Sequence, residues 1–177
     1  NGIVIPVGKY DIPDMQKQGT QYLSITDQGH VGIYGIPSSG KTTMLKTIMM
    51  ALSSLYSPEE VEMTVLDAGD WSLKEFEQMP HVREVILNQD EKAIAGFVTR
   101  IRRELDSRKR AFVTNAVSTI EAYRRVTGQS LPSVVITVNH LEHFFESYME
   151  LADTFLEIAS SGAMYGIHIV YTSNSTI

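Results

Sequence analysis

The stretch GIPSSGKT, residues 35–42, constrains this chain more than any other feature. It follows a short β-rich run, HVGIYG (residues 30–35), and precedes TTMLKTIMMALSSLY (residues 42–56), whose apolar residues fit a buried helix. Strand, glycine-bounded loop and helix in that order define a phosphate-binding loop. Gly35 and Gly40 let the backbone wrap, so that amides from about Ser38 to Thr42 point inward beside the positive end of the helix. Lys41 adds a charge for the β- and γ-phosphates of a nucleotide, and the Thr42 hydroxyl is placed to ligate Mg²⁺. The candidate nucleotide-binding residues are Gly35, Ile36, Pro37, Ser38, Ser39, Gly40, Lys41, Thr42 and Thr43.

The rest of the chain alternates strand and helix signals. A strand through Met63, Thr64, Val65 and Leu66 stops at Asp67 and Gly69, and Trp71 to Met79 reads as a short helix ended by Pro80. HVREVIL (residues 81–87) is a strand. In the long helix that follows, Ile94, Phe97, Val98, Ile101 and Leu105 recur at helical spacing, and Asp90 is its expected cap. Ser118 and Glu121 match a capping box, Gly128 ends that helix, and Val134 to Val138 form a strand. A helix around residues 148–160 and the strand IHIVYT (residues 167–172) complete the pattern, while the first 25 residues suggest small strands in a hairpin or edge. Alternation of this kind implies parallel pairing through right-handed crossovers, hence an α/β layered fold. At 177 residues and 43% hydrophobic content, one domain is expected.

A nucleotide hydrolase also needs acids at the tip of a neighbouring strand. There an Asp orients the Mg²⁺ shell and a following Glu polarises the attacking water. VVITVNH (residues 134–140) offers Asn139 and His140 instead. Asn keeps a carbonyl acceptor and loses the charge, and His does not reproduce a carboxylate. Metal affinity and water activation are both expected to fall, so no catalytic residue is assigned. His140 as an unorthodox general base is the alternative.

Other polar groups carry weaker signals. His140 and His143, with Glu142 between them, form an H-x-x-H pair lacking a third ligand and the i, i+4 spacing of metallopeptidases. Ser173 and Asn174, with Thr172 before them, end the last strand, where a side chain can sense the γ-phosphate or simply form an exit turn. Asp67 reads equally as a helix cap or a functional carboxylate. The basic run Arg100, Arg102, Arg103, Arg108, Lys109 and Arg110 is interleaved with Glu104 and Asp106. A solvated helix face is expected there, and a net charge of −6 argues against nucleic acid as a specific ligand. The absence of cysteine excludes disulfides and thiolate metal sites, and no stretch approaches the roughly 20 apolar residues that span a bilayer.

Together these residues resemble one cassette of the FtsK/SpoIIIE-type ATPases, in particular the multi-cassette EssC/EccC membrane ATPases of type VII secretion. The likeness rests on GIPSSGKTT, on YSPEEVEMTVLDAGDWSLKEFEQMPHVREVI, on RIRRELDSRKRAF and on LPSVVITVNHLEHF, in that order. The resemblance implies a RecA-like P-loop NTPase sheet with an ATP site facing the next cassette. The last core strand of that fold is not found here, so the chain reads as part of a larger membrane-anchored protein. It also implies ATP and Mg²⁺ as cofactors, with adjacent cassettes, oligomer neighbours and small helical secreted substrates of the WXG100 type as partners. The location implied is the cytoplasmic face of the cell membrane. Asn139 and His140 depart from an active cassette, as in downstream cassettes with a degenerate acidic motif. A regulatory or substrate-coupling cassette is therefore expected. The alternatives are an active ATPase or DNA translocase cassette, and a substrate-binding module with a vestigial nucleotide site.

Overall fold

The computed structural model describes residues 2–69 and 71–174. Its centre is a five-stranded sheet of β3 (Val31–Tyr34), β4 (Val61–Asp67), β5 (Val82–Leu87), β6 (Ser133–Asn139) and β7 (Ile167–Ser173). The spatial order is β3-β7-β6-β4-β5 and every pair is parallel. An antiparallel pair, β1 (Val4–Ile12) and β2 (Lys17–Ser24), forms a separate hairpin, as the mixed N-terminal runs suggest. The one-turn helix α1 (Ile25–Gln28) links it to β3.

Both sheet faces are covered, which is why the central strands β4, β6 and β7 are buried at almost every position. Along β6, Val134, Ile136 and Val138 pack on one side with α3 (Glu91–Thr114), α5 (Leu141–Ser147) and α6 (Met149–Ser161). Val135 faces the other side, where Leu45, Ile48, Met49 and Leu52 of α2 (Lys41–Leu55) meet Ile5 of the hairpin. The period-two pleat thus assigns alternate residues of one strand to two cores. A third, smaller cluster joins the end of α3 to α4 (Ile120–Thr127), with Phe112 stacked on Tyr123 at 5.5 Å.

One local expectation is corrected. The cap of α4 is Thr119, whose Oγ1 accepts from Ala122 N at 3.2 Å, and Ser118 does not fill that role. Thr119 is the extended residue directly before the helix, so its oxygen lies over the third amide. The segment Trp71 to Met79 holds a short helix, as expected, of the 3₁₀ kind over Lys74–Gln78, with Phe76 N donating to Leu73 O at 3.1 Å and Met79 N to Phe76 O at 2.9 Å. Asp90 caps α3 by accepting from Ala93 N at 2.9 Å, and Gly128 ends α4 at φ 67°.

In chain order the path runs from β3 out to β4 and β5, then returns through β6 to β7, which inserts beside β3. This is the sheet of a RecA-like P-loop NTPase, and the C-terminal tips of β3, β7 and β6 converge where such folds hold ligands. Strand β3 pairs with β7 on one side only, with no strand on its other edge among the described residues.

Candidate nucleotide site

The loop after β3 is wound tightly enough to exclude side chains from its interior. A Cβ at Gly35 would collide with Ser39 Oγ, Ser38 sits at φ 62°, and Gly40 enters α2 at φ 89°. Gly40 supplies no side-chain cap, so nothing of its own competes for the first amides of α2. Lys41 is buried, and its Nζ donates to the carbonyls of Gly35 and Ile36, each at 2.8 Å. Its charge is thereby held at the mouth of the loop. A cradle of amides, an αL glycine and an ammonium group fit a polyphosphate.

The cavity beside this loop measures about 320 Å³ and is lined by Pro37, Ser38, Gly40, Lys41, Thr42, Thr43, His140 and Asn174. The fold therefore brings together residues separated by roughly 100 positions in sequence. Gly35 and Ser39 shape the loop from behind, and Ile36 is exposed at its outer edge. Of the two candidate sensor residues, Asn174 reaches the cavity and Ser173 is fully buried behind it.

Asn139 does not line the cavity. It is fully buried at the tip of β6, where its Oδ1 accepts from Thr42 Oγ1 at 3.2 Å and from Thr172 Oγ1 at 2.9 Å. Its Nδ2 donates to Asp67 Oδ1 at 3.0 Å, across the in-register pair Asp67 and Asn139 of β4 and β6. Asp67 is also fully buried and accepts from the amides of Gly69 at 2.9 Å and Leu73 at 3.1 Å. It is thus a loop anchor bound to the site, and no helix cap.

His140 follows in the left-handed region, φ 61° and ψ 63°, a conformation that His tolerates better than most residues. Its amide donates to Thr172 Oγ1 at 2.9 Å, and its ring stacks on His143 at 5.5 Å with 19° between planes. Its Nδ1 lies 3.7 Å from Glu142 Oε1. Burial opposes ionisation of Glu142. Its own amide, the Asn174 amide, the Ser173 hydroxyl and His140 nevertheless hold its carboxyl below the usual carboxylate range. Among the described residues no three His, Asp or Glu side chains gather as a metal-ligand set.

Sequence reasoning missed the part played by Gly69 and gave Thr172 a different one. Thr172 does not face the phosphate side; its hydroxyl joins Asn139 to the His140 amide. Gly69 packs so closely that a Cβ would stand 2.7 Å from Asn139 Nδ2 and 2.8 Å from His140 Cδ2. The prior signal for Gly69 was a glycine just past an apolar strand, and for Thr172 a polar residue at the end of one.

The FtsK/SpoIIIE family model matches residues 8–177. Among relatives, the ESX secretion system protein YukB of Bacillus subtilis is 29% identical over 163 residues, covering 92% of this chain and 11% of that protein. The ESX secretion system protein EccC of Thermomonospora curvata is 31% identical over 175 residues, 95% of this chain and 13% of that protein. The chain thus spans about an eighth or less of these relatives. Among solved structures, EssC (ATPases 2 and 3) from Geobacillus thermodenitrificans superposes with a TM-score of 0.92 at 25% identity, over 98% of this chain and 33% of that one. Thermomonospora curvata EccC (ATPases 2 and 3), solved with a signal sequence peptide, gives 0.90 at 31% identity, over 97% and 32%. With the phosphate loop, the parallel sheet and the convergent strand tips already in place, these matches show that the chain belongs to the FtsK/SpoIIIE family.

Proposed function

We propose that the chain is an ATP-binding cassette of a type VII secretion motor that holds Mg-ATP and turns it over weakly or not at all, acting to regulate or couple the motor. The observation that carries this reading is the setting of Asn139. It occupies the acid's position at the β6 tip as a neutral carboxamide already engaged with Thr42, and the carboxylate it donates to, Asp67, lies one strand further from the loop.

The amides of the loop and Lys41 would hold the phosphates, and the Thr42 hydroxyl, 3.2 Å from Asn139 Oδ1, would ligate Mg²⁺. When bound, Mg²⁺ would supply charge neutralisation at the β- and γ-phosphates. At the position of a water-activating Glu, the His140 imidazole carries no carboxylate. The names of the relatives support adjacent ATPase cassettes as partners, and the peptide-bound EccC structure supports a secreted substrate. The parent protein would sit at the cytoplasmic face of the membrane and engage helical WXG100-type substrates. No helix of the described residues is long and apolar enough to cross a membrane.

Calorimetry tests the reading. The folded chain is expected to bind Mg-ATP with a dissociation constant of about micromolar to millimolar. Lys41→Ala should weaken it roughly tenfold to a hundredfold, the size of a lost charge-assisted contact. A folded sample that shows no binding refutes the proposal. A second reading, hydrolysis with His140 as base, is favoured by the position of His140 in the cavity wall beside Glu142. It requires brisk turnover that disappears in His140→Ala.

A further inference from the structure

Asp67 and Asn139 form a matched pair: a carboxylate that accepts and a carboxamide that donates, 3.0 Å apart and both without solvent exposure. A carboxamide has two orientations, and here its neighbours choose between them. With Nδ2 toward Asp67, the carbonyl oxygen faces the hydroxyls of Thr42 and Thr172. The reverse orientation would set Oδ1 against the carboxylate, leaving two acceptors in contact with no proton between them.

Asp67 is itself fixed. The Gly69 and Leu73 amides hold its two oxygens, and its backbone is locked in the ladder, with Ala68 N donating to Asn139 O at 3.1 Å. Gly69 then closes over the pair at a distance that leaves no room for a Cβ. We infer that Asp67 is the positioning residue of the nucleotide site, holding the Asn139 carboxamide with its carbonyl oxygen turned to Thr42 so that a neutral acceptor backs the magnesium-side hydroxyl. This rests on the nucleotide-binding reading for the role of Thr42, and on the structure alone for the pairing.

The inference makes exchange of the two side chains informative. Asn139→Asp alone places two carboxylates face to face and should raise the unfolding equilibrium constant about a hundredfold, in the range for an uncompensated buried charge. Adding Asp67→Asn returns one carboxylate and one carboxamide, and should recover about tenfold of that loss, a clear departure from additivity. In the exchanged protein the charge sits next to Thr42. The ratio of ATPγS affinity in Mg²⁺ to that in EDTA should therefore rise about tenfold over wild type, a gain that general damage does not produce.

Urea unfolding of the four proteins and calorimetry with ATPγS in both buffers read these effects. Additive unfolding shifts, or an exchanged protein whose Mg²⁺ ratio equals that of wild type, overturn the inference. Failure of wild type to bind ATPγS in either buffer overturns the nucleotide reading instead, and the unfolding cycle still decides the pairing. If the exchanged protein does not fold, Gly69→Ala decides: displacing Asn139 Nδ2 as well as the His140 ring, it should lower ATPγS affinity severalfold more in Mg²⁺ than in EDTA. Equal loss in both buffers refutes the positioning role.

Discussion

Thr172→Val removes one oxygen from the middle of the site and almost nothing else. The Thr172 side chain is fully buried, and its hydroxyl donates to Asn139 Oδ1 at 2.9 Å while accepting from His140 N at 2.9 Å. After substitution Asn139 Oδ1 keeps its bond from Thr42, but the His140 amide faces a methyl group. An unpaired buried amide costs about 1–3 kcal/mol, and the isosteric methyl offsets little of it. For a chain of this size about 2 kcal/mol lowers the thermal midpoint by roughly 4–8 °C and the urea midpoint by about 1 M. Thr172→Ser is the control. It keeps both hydrogen bonds and loses only a methyl, about 1 kcal/mol. Urea denaturation followed by circular dichroism should place Val below Ser by about 1 kcal/mol. If Val is as stable as Ser or more so, the hydroxyl does not hold His140, and the account of the strand tips is wrong.

Arg108→Met should destabilise by about 3 kcal/mol, measured by the same denaturation. The buried guanidinium donates to the carbonyls of Tyr165 and Pro132, each at 2.8 Å, as well as to Glu104, and Arg108→Lys should not rescue because one ammonium cannot span that fork. Burial, followed by the nearby charges of His30 and Arg108, pushes the His168 imidazole below its ordinary value, against the hydrogen bond to the Gly29 carbonyl. Burial lowers His30 likewise. The unfolded chain therefore binds more protons than the native one, so this stability is fully present above the ordinary histidine value of about 6.5 and is lost as pH falls below it. Thermal midpoints recorded between pH 7.5 and 5 should decline, and His168→Asn should flatten the decline.

Much of the site was legible because its signals are local. GIPSSGKT lies in one turn between its strand and helix, and the β-rich run of residues 134–138 declares its own end at Asn139. The cap at Asp90 and the glycine stop at Gly128 are decided within four residues, and both hold. Thr119 rather than Ser118 caps α4 because two adjacent hydroxyls differ only in where the backbone turns, which no pattern encodes. Asp67 stayed ambiguous for a different reason. Its partner is 72 positions away, and only the strand order places β4 beside β6 with Asp67 opposite Asn139. The contacts of Thr172 and Gly69 were out of reach on the same grounds, since they exist only once three strand tips lie side by side.

The phosphate loop and the polar strand tip stand on separate strands: the loop springs from β3, Asn139 and His140 from β6, and β7 lies between them. Within the protein, the Asn139 carboxamide oxygen already links these parts by accepting from Thr42 and from Thr172. A nucleotide seated in the cavity would act as a stitch, joining the first turn of α2 to the end of β6 across the intervening strand.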